Sequence, residues 1–89
     1  MLFIVIEHFK NHDVAKSVYR RFQEQGRMLP EGLKYIDSWT ESNFRRCFQL
    51  MECDNPQLLS QWTAHWEDLV DFEIVPVVSS KEAASVMSR

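Results

Sequence analysis

The chain is poor in chain breakers, with two glycines and three prolines in 89 residues. That scarcity excludes a disordered or linker-rich protein and leaves ordered segments joined by short turns. No apolar run approaches the roughly 20 residues that a membrane span requires. The opening run Met1–Ile6 lacks a basic flank and passes into Glu7-His8, so it reads as a buried strand and not as a secretory signal. The expected location is cytoplasmic. An excess of positive charge is also missing: the formal net charge is −3, and the pairs Arg20-Arg21 and Arg45-Arg46 are answered by nearby acids. A phosphate-tracking surface needs clustered, uncompensated Lys and Arg, so nucleic acid is not an expected partner. Cysteine is scarce as well. Cys47 and Cys53, if they share one strand, lie about 20 Å apart, whereas a disulfide needs Cα atoms within roughly 7 Å. Free thiols in a reducing compartment follow. The same distance rules out a local zinc clip, and His8 and His12 do not share a helix face, so no metal is expected. Neither a Gly-rich phosphate loop nor a nucleophile elbow is present, and no cofactor is implied.

What the chain has is periodicity. Its 89 residues, 45% of them hydrophobic, make one domain, 1–89, of a size that buries only roughly 60–65% of its unfolded surface and is often completed by association. Leu2–Phe9 is a continuous apolar, β-branched run, the pattern of a strand buried on both faces. Asn11-His12-Asp13 opens a helix whose stripe is Val14, Ala15, Val18, Tyr19 and Phe22; Gly26 closes it in a left-handed conformation. Strands over 33–40 and about 44–53 flank the short polar connection Glu41-Ser42-Asn43, which predicts a hairpin. Asp54-Asn55-Pro56 starts a second helix with the stripe Leu58, Leu59, Trp62, Trp66 and Leu69. A fourth strand spans 70–78, and Ser79 with Glu82 forms a capping box that opens a short terminal helix.

This order, βαββαβ plus a helix, predicts an α+β domain in which right-handed crossovers interleave two βαβ units into a four-stranded antiparallel sheet with both helices on one face. The strands alternate. Leu2, Ile4 and Ile6 oppose Phe3 and Val5; Phe48 and Leu50 oppose Cys47 and Met51; Phe72 and Ile74 oppose Val75 and Val77. Two helices cover one of these sets. The other would expose more contiguous apolar surface than monomers carry, at roughly 1.5–3 kcal/mol for each large side chain left in water. A homodimer through the sheet face, two sheets packed into a dimeric α/β barrel, is the expected remedy.

The segments Met1-Leu2-Phe3-x-Val5-Ile6-Glu7, Gly26-Arg27-Met28-x-Pro30-x-Gly32, Ser38-Trp39, Cys47-Phe48-Gln49-Leu50-Met51-Glu52 and Phe72-Glu73-x-Val75-Pro76-Val77 resemble an uncharacterised domain-of-unknown-function family (3303 type) of small prokaryotic proteins. The resemblance covers nearly the whole chain. It implies a ferredoxin-like fold of the dimeric α/β-barrel superfamily, whose members include cofactor-free monooxygenases, haem-degrading enzymes, lactone isomerases and stress-response proteins. No superfamily catalytic motif matches residue by residue, so the resemblance transfers no catalytic role.

In proteins of this shape a ligand pocket often lies between sheet and helices. The polar or reactive residues on strands are therefore the candidates. With a three-residue hairpin loop, Asp37 faces Cys47 and Tyr35 faces Gln49, on a common side with Trp39; another loop length changes that set. His8 is the leading general base, since imidazole titrates near neutral pH. The expected ligand-binding set is His8, Tyr35, Asp37, Trp39, Cys47 and Gln49. A plainer reading makes the same residues a satisfied core beside a dimer seam. Trp62 and Trp66 could stack a flat ligand, but aromatic stripes at helical spacing are usually core. Arg27 could hold a ligand carboxylate or phosphate, or pair with Glu31. His12 and His65 read as a solvated residue and a border residue. Two functions follow: a dimeric protein binding a small apolar or aromatic molecule, and a cofactor-free enzyme of monooxygenase or isomerase type.

Overall fold

The structure is a computed structural model that describes residues 1–89. Strand β1 (Leu2–Phe9), helix α1 (His12–Gln25), strands β2 (Lys34–Thr40) and β3 (Arg46–Glu52), helix α2 (Gln57–Thr63), strand β4 (Val70–Val77) and helix α3 (Ser80–Met87) follow in order. The four strands form one antiparallel sheet in the order β2-β3-β1-β4, the interleaved arrangement of a ferredoxin-like α+β fold. No helix is long and apolar enough to cross a membrane.

The element boundaries have local causes. The Asn11 side chain accepts from the Val14 N–H at 2.9 Å and starts α1. Gly26 ends it, its N–H donating to the Phe22 carbonyl at 2.7 Å. Gly26 sits at φ 69, ψ −162, so it leaves the helix through extended, glycine-only backbone and not through the compact left-handed turn expected from sequence. The Ser79 hydroxyl accepts from the Glu82 N–H at 3.0 Å, one half of the expected capping box. Helix α2 is shorter than its apolar stripe. It stops at Thr63, and successive turn hydrogen bonds carry the chain to Val70. Trp66 still reaches the core, 3% exposed.

One sequence expectation fails on register. The β2–β3 connection is longer than three residues: the Glu41 N–H donates to the Arg46 carbonyl, and Phe44 adopts φ 58 within the turn. A bulge at Ile36 then shifts the pairing, so that Tyr35 opposes Met51 but Asp37 opposes Leu50. One extra residue inverts every side chain beyond it. Ser38 and Thr40 thereby oppose Gln49 and Cys47, while Trp39 opposes Phe48. Asp37 holds the bulge by accepting from the Ser38 N–H at 2.8 Å.

The core lies between the sheet and the helices. Phe3, Val5, Val18, Met51, Leu59, Trp62, Trp66 and Val70 form its centre. Only 14 of the 89 residues are buried, so a large apolar fraction stays outside it. The strand faces alternate as the sequence requires: Phe3, Val5 and Glu7 are buried under the helices, whereas Leu2, Ile4 and Ile6 on the other face are only partly covered. The chain's shortest dimension, 17 Å, fits one helix layer on one sheet.

Candidate binding site

Residues opposite one another on neighbouring strands share a face. Beneath α1 this places Thr40, Cys47 and Glu7 in one row across β2, β3 and β1, with Ser38 and Gln49 in the next. The row is polar in an otherwise apolar layer, and a cavity of about 110 Å³, open to solvent, lies over it. Phe9, Val18, Tyr19, Phe22, Trp62 and Trp66 supply its apolar walls. This explains a departure within the α1 stripe. Ala15 and Val18 are buried, but Tyr19 and Phe22 are 40% and 38% exposed, because they border the cavity. The Tyr19 hydroxyl meets Thr40 Oγ1 at 2.8 Å and ties α1 to β2 across it.

Glu7 is the central group. Its carboxylate accepts from Gln49 Nε2 at 2.7 Å. Burial drives its pKa up to about 7, against the opposing effects of the Cys47 thiol, the Gln49 amide and the Arg27 charge. Burial together with the Glu7 charge pushes the Cys47 thiol up to about 11. Cys47 therefore stays protonated near neutral pH and is a poor nucleophile, whereas Glu7 can take up or release a proton there. The other Gln49 atom, Oε1, is buried with no hydrogen-bond partner.

Arg27 stands at the same cavity. Its backbone carbonyl accepts from Trp62 Nε1 at 2.9 Å and Trp66 Nε1 at 3.2 Å. Its guanidinium lies 3.5 Å from the Tyr35 ring centroid and 4.8 Å from that of Phe22. The two tryptophans are thus core residues, 1% and 3% exposed, with satisfied N–H groups and their edges on the cavity; they do not form an open stacking platform. Arg21 fixes the segment carrying them by a bidentate pair with Asp68, both bonds 2.8 Å, and a bond to the His65 carbonyl.

Of the expected residues, the structure brings Cys47 and Gln49 together at the cavity. Tyr35 lies beside it, under Arg27, its hydroxyl 2.6 Å from Ser38 Oγ. Asp37 and Trp39 do not join them. The bulge at Ile36 turns both to the helix-free face, which corrects the common-side grouping with Cys47. His8 also projects to that face, where Nε2 lies 3.4 Å from Glu73 Oε1; strand alternation puts Glu7, not its neighbour, in the cavity. Glu7 is among the polar residues on strands but stands outside the expected ligand-binding set, although a signal existed. It shares the phase of Phe3 and Val5, so it is the one carboxylate on the helix-facing side of β1. Thr40 and Ser38 had no such signal, because the bulge that places them leaves no mark in composition. No group of three His, Cys, Asp or Glu side chains converges anywhere in the fold, and both cysteines are buried free thiols.

Comparison with known proteins adds a lineage and no activity. No curated protein and no solved structure matches the chain. A family model does so from end to end: the chain belongs to the family described as Domain of unknown function (DUF3303), matched over residues 1–89.

Proposed function

We propose that the protein is a homodimer that binds a small, partly apolar molecule in the cavity between sheet and α1. One observation carries the binding reading: Gln49, 6% exposed, lines an aromatic-walled, solvent-open cavity and keeps a buried Oε1 without a partner beside a buried carboxylate. Native interiors seldom leave such an atom unsatisfied unless a water or ligand meets it. An apolar enclosure with a few converging polar groups is the usual form of a small-molecule site. The test is an amide-resolved NMR titration with single-ring aromatic compounds. Shifts confined to residues around Glu7, Gln49 and Phe22 support the reading; unchanged spectra at millimolar compound contradict it.

The dimer reading rests on the helix-free face. Ile4, Ile6, Phe48, Leu50 and Val75 lie there on adjacent strands, with Trp39, 55% exposed, beside Phe48. Four strands about 4.8 Å apart and about 23–26 Å long give a face of roughly 450 Å² in plan, its centre apolar and its margin charged by His8, Arg46, Glu52, Asp71 and Glu73. A second copy is self-complementary to such a face, giving two back-to-back sheets in the manner of a dimeric α/β barrel. The free thiols Cys47 and Cys53 fit a reducing, cytoplasmic setting.

A second reading, a cofactor-free enzyme of isomerase or monooxygenase type, is favoured by the position and titration of Glu7. A carboxyl that exchanges protons near neutrality inside a ligand cavity is suited to proton transfer. His8, the base expected from sequence, lies across the sheet from the cavity. Glu7→Gln separates the two readings: loss of turnover with retained binding supports catalysis, and retained binding with no turnover in either form supports a binding protein.

A further inference from the structure

We propose that the cavity takes a small aromatic hydroxy acid, one six-membered ring whose hydroxyl donates to Gln49 Oε1 and whose carboxylate pairs with Arg27. The proposal rests on the binding reading above and assigns its ligand class.

Gln49 sets the first requirement. Its Nε2 is committed to Glu7 at 2.7 Å. With Glu7 ionised, turning the amide over would set its oxygen against a carboxylate oxygen, and in either orientation one end of the amide stays unpartnered. A buried acceptor is costly without a partner, and a ligand O–H supplies one.

The walls set the second. Phe9 and Phe22, with the edges of Trp62 and Trp66, wall the cavity for an apolar body. The volume, about 110 Å³, compares with the roughly 150 Å³ of a cavity that accepts benzene. A single ring enters with its charged end at the opening.

Arg27 sets the third. Arg21 and Arg46 are neutralised by Asp68 and Glu41, but Arg27 joins no salt bridge. It is held in place by stacking on Tyr35 and Phe22, and its charge is felt at both Glu7 and Cys47. A stacked, half-buried guanidinium without a carboxylate is prepared to receive one, since its planar fork is already oriented.

The test is isothermal titration of the protein with toluene, phenol, benzoate, and 3- and 4-hydroxybenzoate. We expect one hydroxybenzoate to bind about tenfold or more tighter than phenol or benzoate, the equivalent of one hydrogen bond or ion pair. Arg27→Gln keeps the backbone carbonyl that the tryptophans use. It should reduce that compound to the affinity of phenol, leaving phenol itself nearly unchanged, and Arg27→Lys should recover part of the loss. Gln49→Met should reduce it to the affinity of benzoate. If toluene and phenol bind and the carboxylate adds nothing, the ligand class is overturned and the binding reading stands. If no compound binds and no cavity amide shifts, both fall, and Gln49 Oε1 serves a water.

Discussion

The two faces of the sheet are made by alternate residues of the same strands, yet they are opposites. Under the helices the layer holds a carboxylate, an amide and a thiol: Glu7, Gln49 and Cys47 are 5%, 6% and 8% exposed. On the bare side, Leu2, Ile4, Ile6, Phe48 and Leu50 are hydrocarbon or aromatic and only partly covered. An otherwise apolar layer thus keeps three polar groups away from water, while the bare side leaves large apolar groups in partial contact with it. Polarity that is kept where it is costly points to a ligand, and apolar surface that is kept where it is wet points to a second subunit.

Each half of this comparison can be broken. The largest effect is expected on the covered face. Trp62→Ala removes a buried indole and its bond to the Arg27 carbonyl and should cost about 3–5 kcal/mol in urea unfolding; a mutant within about 1 kcal/mol of the parent would show that the indole is not core. On the bare face, Ile4→Asp puts a charge in the middle of the apolar patch. Association should weaken by about 100-fold or more, read as mass by light scattering, while the circular dichroism of the subunit persists.

Glu7 sharpens the contrast through pH. Its folded pKa, about 7, exceeds its ordinary value of 4.5, so the native state binds the proton more tightly than the unfolded chain. Stability from this group is complete below about pH 4.5, declines as pH rises through 7, and levels off above. At roughly 1.4 kcal/mol per pH unit the decline amounts to about 3 kcal/mol. Glu7→Gln should flatten that slope and leave the protein more stable than the parent at pH 8; an unchanged pH profile would place the titration elsewhere. The smallest effect is expected at Gly26, which delivers the Arg27 carbonyl to the two tryptophans. Gly26→Ala meets no atom within 4 Å but must adopt φ 69, ψ −162, at about 1–3 kcal/mol by thermal melting. A neutral substitution would mean that the backbone relaxes there freely.

The fold was legible because its signals are local. Strand β1 coincides with its apolar run, α1 begins at Asn11 and ends at Gly26, and the alternation of β1, β3 and β4 assigns their faces correctly. The site was legible only in part. Cys47 and Gln49 sit on β3, whose partner β1 is regular, so alternation alone places them. Tyr35, Asp37 and Trp39 sit on β2, where the bulge at Ile36 and a longer turn decide the side of each residue. Those features arise from backbone packing and leave no periodic trace in the sequence. His8 drew attention for its chemistry; one step along the strand, Glu7 has the geometry.

Sedimentation equilibrium of the unmodified chain at micromolar concentration tests the contrast between the faces most directly. The account predicts a particle of twice the 10.6 kDa chain mass that reverts to the single-chain mass with Ile4→Asp. A homogeneous 10.6 kDa species throughout the concentration range would contradict it, since the apolar face would then stand stably in water without a partner.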